Sequence, residues 1–139
     1  VCTLDALGRG IGEAGAEGER LAVLDGWRGE AFAALYSDRG ERTWEPAVYR
    51  PEQLAERVAE LEQPPSAAGS GAVRFRQELT RVGVKVAEDA DPVHRVAARH
   101  ICAVAAKRWD GKAAALEPIY LRPPDAERWR ERDSFQRAE

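Results

Sequence analysis

The length, composition and charge of the chain set its broad class. Its 139 residues fit one domain, and 44% hydrophobic residues beside 32% charged ones suit a folded core rather than a disordered tail. The 21 basic and 24 acidic side chains leave a net charge of −3, which argues against a protein that grips nucleic acid by itself and against a polybasic membrane anchor.

The first half of the chain predicts a helix end followed by three strands. Thr3 lies near the cap of the helix, and the glycines from Gly8 onward predict a loop. Strands are predicted over RLAVLDGW, GEAFAALYS and RTWEPAVYR, and the first is expected to be buried on both faces because its apolar residues do not alternate. Short turns join the three strands into an antiparallel meander, and Pro46 assigns part of the third strand to an edge or a bulge.

The second half alternates helices with short strands. PEQLAERVAELE predicts a helix opened by Pro51, SAAGSGA a brief strand ending in a glycine turn, AVRFRQELTRVG a helix, and residues 84–88 a strand. A last helix is predicted over residues 92–107, with Asp91 as its cap. EPIYLRPP predicts an extended piece, and the charged tail that follows predicts a solvated helix or a frayed end.

This order of elements, β-β-β-α-β-α-β-α, indicates an α/β fold. It is the topology of one lobe of a ribonuclease-H-like fold, the unit shared by actin, sugar kinases and Hsp70 ATPase domains. Ferredoxin-like and other α/β arrangements remain alternatives. We expect one domain over residues 1–122 and a charged tail over residues 123–139.

Other features of the whole sequence predict its setting. No segment approaches the ~20 apolar residues of a membrane span and no signal peptide is visible, so we expect a cytoplasmic protein without a membrane partner.

Cys2 and Cys102 lie far apart, which favours two free thiols and leaves one disulfide as the alternative. The chain contains no methionine and begins with Val1, so we expect a processed product or the later part of a longer chain.

Residues that commonly carry catalysis or bind metals are sparse. His94 and His100 are six residues apart, which on one helix points them away from each other and excludes joint chelation. The sequence contains no His-Glu-x-x-His, Gly-x-Ser-x-Gly or Walker pattern. We therefore predict no catalytic residue, no metal site and no cofactor. His94 is expected on the surface in a first helical turn, and His100 at the edge of the buried face.

Two turns and one aromatic side chain are candidates for binding. Asp25, Arg28 and Glu30 cluster in the first turn, where the acids could act as bases or metal ligands or could pair with the arginine between them. Gly69 and Gly71 precede a helix whose amides could bind a phosphate or a carboxylate. The alternative is a tight turn that lets strand and helix pack closely. The four tryptophans form no recognisable stacking platform, and Trp129 could face a partner.

Four segments together resemble one protein family. LAVLDGWRGEAFAALY is similar to a strand-turn-strand segment that reads Asp-Ala-Arg, a variable residue, then Gly-Glu-Val-Tyr. VCTL resembles its Ser-Thr-Leu helix entry, GSGA its Gly-Asp-Gly-Ala turn, and PIYLR its closing Pro-x-Tyr-Leu-Arg. The family is the TsaB (YeaZ) proteins, bacterial helpers in making threonylcarbamoyladenosine on transfer RNA, also labelled glycoprotease-like or peptidase M22. Its first lobe has no counterpart here, so the resemblance is to the second, C-terminal actin-like lobe.

The resemblance implies a protein that performs no chemistry itself. Such an inactive paralogue pairs with the threonylcarbamoyl transferase (TsaD), works with a small ATPase (TsaE), contacts no nucleic acid directly and can form homodimers. The turn from Asp25 to Glu30 would then hold its own hairpin or face the missing lobe. The alternatives are a nucleotide-binding lobe with its site at Gly69 to Gly71, as in sugar kinases, and a peptidase.

Overall fold

The computed structural model describes residues 1–111 and 117–122. Trp129 and the charged tail of residues 123–139 lie outside the described residues. Within those ranges the chain forms a mixed α/β fold. In chain order its elements are α1 (Thr3–Glu13), β1 (Arg20–Asp25), β2 (Ala31–Tyr36), β3 (Arg42–Tyr49), α2 (Pro51–Ala59), β4 (Ser66–Ala68), α3 (Ser70–Arg74), α4 (Arg76–Arg81), β5 (Lys85–Val86), a 3₁₀ turn (Pro92–His94) and α5 (Ala98–Arg108).

The described strands form one sheet in the order β3-β2-β1-β4-β5. β1 pairs with β2 and β2 pairs with β3 in antiparallel fashion, so the predicted meander is confirmed. β4 joins β1 in parallel, and β5 joins β4 in parallel. Pro46 lies in β3, which is an edge strand as predicted, since proline cannot donate to a second neighbour. β5 covers two of the five residues predicted for it.

Each face of the sheet carries its own hydrophobic core. Side chains alternate between the faces along a strand, so Leu21 and Val23 join the core on one side and Ala22 joins the core on the other. All three side chains are fully buried, which confirms that β1 is covered on both faces. Helices α2, α3 and α4 cover the first face and α1 covers the second, giving three layers.

The glycine-rich part of α1 corrects the sequence prediction. The loop predicted from Gly8 onward is wrong, because the helix continues through three glycines to Glu13. Each glycine weakens a helix by about 1 kcal/mol relative to alanine. A Cβ on Gly8, however, would lie 2.6 Å from the ring of Tyr36, and one on Gly12 would overlap the guanidinium of Arg20. Close packing of α1 on the sheet therefore outweighs helix propensity.

Two helices that the sequence predicts as continuous are interrupted. The helix predicted over residues 72–83 begins at Ser70 and is interrupted at Phe75, whose N–H donates to the carbonyl of Gly71 and whose carbonyl accepts from the N–H of Leu79. The helix predicted over residues 92–107 opens as the 3₁₀ turn, becomes extended, and resumes as α5 at Ala98. The predicted cap is confirmed, since Asp91 accepts a 2.9 Å hydrogen bond from the backbone N–H of Val93.

His94 lies at the second interruption, in a different setting from the surface position predicted for it. Its Nδ1 accepts a 3.1 Å hydrogen bond from the backbone N–H of Gly69, and its Nε2 lies 2.9 Å from the carbonyl oxygen of Glu88. The half-buried imidazole thus ties the 3₁₀ turn to the turn after β4. His100 is buried, in line with the prediction that it borders the buried face.

Two expectations about the whole chain also meet the structure. Cys2 and Cys102 are both free thiols, so the free-thiol prediction is confirmed over the disulfide alternative. Across residues 1–111 and 117–122, no helix combines the length and the apolar character needed to cross a bilayer.

Candidate functional site

The two candidate turns lie side by side at one end of the sheet. β1 ends at Asp25 and the parallel strand β4 ends just before Gly69, so the carboxyl ends of both strands lie at the same end of the sheet. The hydroxyl oxygen of Ser70 accepts a 3.1 Å hydrogen bond from the backbone N–H of Asp25. The hairpin turn of residues 25–30 and the glycine turn of residues 69–71, with Arg74 and Arg122, form what we call the strand-end site.

Asp25 holds the hairpin turn through both of its carboxylate oxygens. One oxygen accepts a 3.0 Å hydrogen bond from the backbone N–H of Trp27, two residues further along, as aspartates do in turns. The other accepts a 2.8 Å hydrogen bond from the guanidinium of Arg74. Asp25 therefore connects the hairpin to α3 and has its charge paired.

Glu30 is held by a residue that is distant in the sequence. Nη1 of Arg122 donates a 2.8 Å hydrogen bond to its carboxylate and lies 3.3 Å from the carbonyl oxygen of Gly26. This contact fixes residues 117–122 against the hairpin. Arg28, the third residue of the predicted cluster, is exposed at the tip of the turn. The two acidic residues of the strand-end site thus each contact a guanidinium from another element.

The tip of the hairpin has an unusual backbone. Trp27 and Arg28 have φ angles of +59° and +57°, in the left-handed region that non-glycine residues seldom adopt. Two successive left-handed residues suit a tight hairpin, where Asn-Gly is the usual pair, and the strain costs of order 1–3 kcal/mol per residue. The Trp27 side chain is 74% exposed. The tip of the hairpin therefore presents an indole to solvent, next to the exposed Arg28.

An apolar groove of about 540 Å³ lies beside the hairpin. It is lined by residues 1–4, by Leu24 and Phe32 of the first two strands, and by residues 117–122. Ile119 and Tyr120 are 65% and 78% exposed. Exposed apolar surface of this kind is typical of contacts with another chain or domain.

Gly69 and Gly71 are required by the packing around them. Gly69 has a φ of +115°, and a Cβ there would overlap the carbonyl oxygen of Val23. A Cβ on Gly71 would lie 2.7 Å from Cγ1 of the same valine. The N–H of Gly69 already donates to His94, and the helix that follows has five residues. This arrangement favours the close-packing interpretation of the glycine turn.

The polar side chains of the strand-end site are engaged by other groups of the chain. The Ser70 hydroxyl is engaged by the backbone of Asp25, and the two carboxylates are paired with arginines. Among the described residues, no group of three or more His, Cys, Asp or Glu side chains is placed to hold a metal ion.

A second cluster, around Asp5 of α1, was missed by the sequence analysis. Asp5 is 4% exposed and accepts hydrogen bonds of 2.8 Å from the Tyr36 hydroxyl, 3.1 Å from Nε of Arg42 and 2.9 Å from Nη1 of Arg108. We call these four residues the Asp5 cluster. The available signal was an aspartate inside the apolar stripe of Leu4, Leu7 and Ile11.

The neighbours of Asp5 in the cluster determine its ionisation. Burial by itself would raise the pKa of Asp5, but hydrogen bonds from Arg42 and Tyr36 and the charges of both arginines outweigh it and hold that pKa below its usual value. Burial and the neighbouring Asp5 charge raise the pKa of Tyr36, so its phenol remains a hydrogen-bond donor. The cluster therefore ties α1, β2, β3 and α5 together.

Comparisons with known proteins identify the fold. No protein-family model matches the sequence. An uncharacterized protein of Mycobacterium tuberculosis (strain ATCC 25618 / H37Rv) and one of Mycobacterium bovis (strain ATCC BAA-935 / AF2122/97) are each 34% identical over 126 residues, covering 91% of this chain and 49% of theirs. The chain thus spans about half the length of these curated relatives.

Two solved structures from Pseudomonas aeruginosa resemble the chain. A protein described as similar to the peptidase YeaZ matches with a TM-score of 0.59 at 26% identity, covering 88% of this chain and 57% of that one. YeaZ itself matches with a TM-score of 0.57 at 24% identity, covering 78% and 50%. The chain has a YeaZ-like fold, which confirms that part of the sequence-based resemblance.

Proposed function

We propose that this chain is the second lobe of a TsaB-like scaffold in the cytoplasm. In this role it supports the transferase that places threonylcarbamoyl on transfer RNA and performs no chemistry itself. The lobe would be of the ribonuclease-H-like, actin-like type. The YeaZ-like fold and the four sequence segments that resemble TsaB proteins support this proposal.

The contact between Glu30 and Arg122 carries the proposal. Glu30 belongs to the segment that resembles the family's strand-turn-strand, and Arg122 to the segment that resembles its closing Pro-x-Tyr-Leu-Arg. The two residues are 92 positions apart and meet at 2.8 Å. Two segments selected independently from the sequence therefore form one structural unit, which is expected if both come from the same family pattern.

The surface around this contact suits a scaffold. The exposed Trp27 and the apolar groove present hydrophobic area to a neighbour, while the carboxylates are paired with arginines. The relatives are about twice as long, which leaves room for a preceding lobe that covers the groove. In the proposed complex that lobe contacts the strand-end site and supplies most of the interface with the transferase (TsaD), next to the small ATPase (TsaE).

A pull-down of the cognate transferase tests the proposal. We expect the longer protein that includes the first lobe to bind and the present chain alone to bind weakly or not at all. Trp27→Ala in the longer protein should weaken complex formation. Trp109→Ala, which removes another exposed indole (67%) on a different element, is the matched control and should leave binding unchanged.

Two outcomes would contradict the proposal. Failure of both forms to bind the transferase would limit the resemblance to the fold. Alternatively, the purified longer protein could show hydrolytic activity that disappears in Glu30→Ala, which would assign a catalytic role to the strand-end site.

A nucleotide-binding lobe is the second candidate function. The glycine turn lies at the carboxyl end of parallel strands, where open α/β sheets commonly bind ligands. Calorimetry of the longer protein with ATP separates the two functions. Binding that weakens when Gly71 is replaced by a bulky residue would favour the nucleotide site. Absence of heat at about millimolar ATP would exclude it, because a Kd above about 1 mM corresponds to less than ~4 kcal/mol of binding free energy.

A further inference from the structure

We propose that a basic groove formed by α1, the β2–β3 turn and α5 binds the di- or triphosphate group of a small anion. The groove has a volume of about 260 Å³ and lies between α1, the β2–β3 turn and the last turn of α5. Six cationic side chains line it: Arg9, Arg20, Arg39, Arg42, Lys107 and Arg108. This inference does not depend on the scaffold function, because it concerns a different surface of the lobe.

The charge of the groove contrasts with that of the chain as a whole. The net charge of the chain is −3, yet Asp5 is the one acidic residue among the side chains that line the groove. Its carboxylate is already bound by Arg42 and Arg108. The carboxylates of Glu13 and Glu45 pair from outside with Arg9 and Arg42. The acids in and around the groove therefore pair with three of its six cations.

The remaining three cations have no carboxylate partner within the described part of the chain. Arg20 donates to the backbone carbonyl of Asp38, a neutral acceptor. Arg39 and Lys107 have no hydrogen-bond or ion-pair partner among residues 1–111 and 117–122. Like charges held close together repel each other, so three such cations in one groove favour a bound anion.

Two buried donors in the groove lack acceptors. The Nε atoms of Arg9 and Arg20 are buried and have no hydrogen-bond partner in the described residues. A buried donor left unsatisfied costs about 1–3 kcal/mol. The guanidinium groups of Arg9 and Arg20 therefore have hydrogen-bonding capacity beside the groove that the described residues do not use.

The chemistry and size of the groove favour phosphate. Guanidinium groups donate paired hydrogen bonds that match phosphate oxygens. Four of the six cations are not bound to Asp5, namely the guanidinium groups of Arg9, Arg20 and Arg39 and the ammonium of Lys107. A volume of about 260 Å³ corresponds to roughly nine waters at ~30 Å³ each, which admits two or three phosphoryl groups. An attached nucleoside would lie outside the groove.

Part of the groove wall is held in place before any ligand binds. Asp5 fixes Arg42 and Arg108, and Gly12 leaves the space that the guanidinium of Arg20 occupies against α1. A preorganised site spends less binding free energy on ordering its side chains. The glycine-rich helix and the buried carboxylate thus both contribute to the shape of the groove.

Calorimetric titration of the full chain with pyrophosphate at low salt tests the proposal. We expect binding that weakens as salt rises and that weakens at least about tenfold in Arg39→Gln/Lys107→Gln. The matched control is Arg81→Gln/Lys85→Gln, which removes the same charge from two exposed residues outside the groove and should leave the affinity within about twofold. Arg39→Lys/Lys107→Arg keeps the charge and should retain most of the affinity.

Parallel titrations with tripolyphosphate and ADP identify the source of the phosphate group. Equal affinity for pyrophosphate and ADP assigns recognition to the phosphates alone, and tighter binding of ADP assigns it to a nucleotide; both support the proposal. Absence of heat with all three anions overturns it. So does an equal loss of affinity in the groove variant and the control variant, because binding would then follow net charge rather than this groove. Thermal melts of each variant check that folding is intact.

Discussion

The Asp5 cluster and the strand-end site are two carboxylate–arginine groups that differ in burial. The Asp5 side chain is 3% exposed, whereas that of Asp25 is 19% exposed and its partner Arg74 is 48% exposed. Removing one member of a buried pair leaves an uncompensated charge, while an exposed pair contributes ~0–1 kcal/mol because water replaces it. The ion pairs between α1 and α5 should therefore contribute more to stability than the pair at the strand-end site.

The largest expected effect is that of Asp5→Ala. This change leaves the Tyr36 hydroxyl and the Arg42 guanidinium without their shared acceptor and should cost about 3 kcal/mol, the lower end for buried pairs because both arginines reach solvent. Urea unfolding measures it. Asp5→Asn, which keeps one acceptor for the phenol, should lose less. A loss under about 1 kcal/mol in Asp5→Ala would show that burial does not distinguish the two groups.

Gly8→Ala should break the same cluster indirectly. The added methyl would lie 2.6 Å from the buried ring of Tyr36 and push its hydroxyl away from Asp5, so we expect a loss of about 1–3 kcal/mol despite the better helix propensity of alanine. Gly12→Ala is the control, because it meets the far end of the Arg20 side chain, which can shift. Equal melting temperatures for both variants would contradict this account.

The pH dependence of stability should also separate the two groups. The pKa of Asp5 is lowered by folding from its ordinary value of about 3.9. The unfolded chain therefore binds the proton more tightly, and the stabilisation is present above that value and lost as the pH falls through the folded-state pKa. The stability difference between wild type and Asp5→Asn, measured by urea unfolding from neutral pH downward, should shrink in acid. A constant or growing difference would contradict the sign.

The smallest effect is expected for the pair of Asp25 and Arg74. A double-mutant cycle with Asp25→Asn and Arg74→Gln should give a coupling of ~0–1 kcal/mol in the free chain, because Arg74 is about half exposed. A coupling above about 2 kcal/mol would place the strand-end site in the same energetic class as the Asp5 cluster.

The sequence predicted the elements whose signals are local. The β1–β2–β3 meander, the edge position of Pro46 and the capping by Asp91 follow from alternation, turn residues and cap chemistry, and the structure confirms them. The glycines of α1 were misinterpreted because their role depends on Tyr36 and Arg20, which lie in other elements. Local propensity carries no information about such contacts.

The candidate site was predictable in part. Asp25 and Glu30 could be identified as neighbours in one turn, but their partners Arg74 and Arg122 are 49 and 92 residues away. The Asp5 cluster is still less local, since Arg108 is 103 residues from Asp5. Pairings of that range depend on how the layers stack, which no single window of sequence records.

The β3-β2-β1-β4-β5 order of the sheet also bears on how the chain folds. β1 and β2 are joined by a five-residue turn, so they can pair on the ~1–10 μs timescale of hairpins. β1 can pair with β4 only after α2 has crossed the sheet, and closing this longer loop costs more conformational entropy. The meander can therefore assemble first, with β4 and then β5 added to its open side. Amide hydrogen exchange should follow the reverse order: the bond from Lys85 N–H to the Pro65 carbonyl opens early, and the amides of residues 21–23 exchange last, with global unfolding.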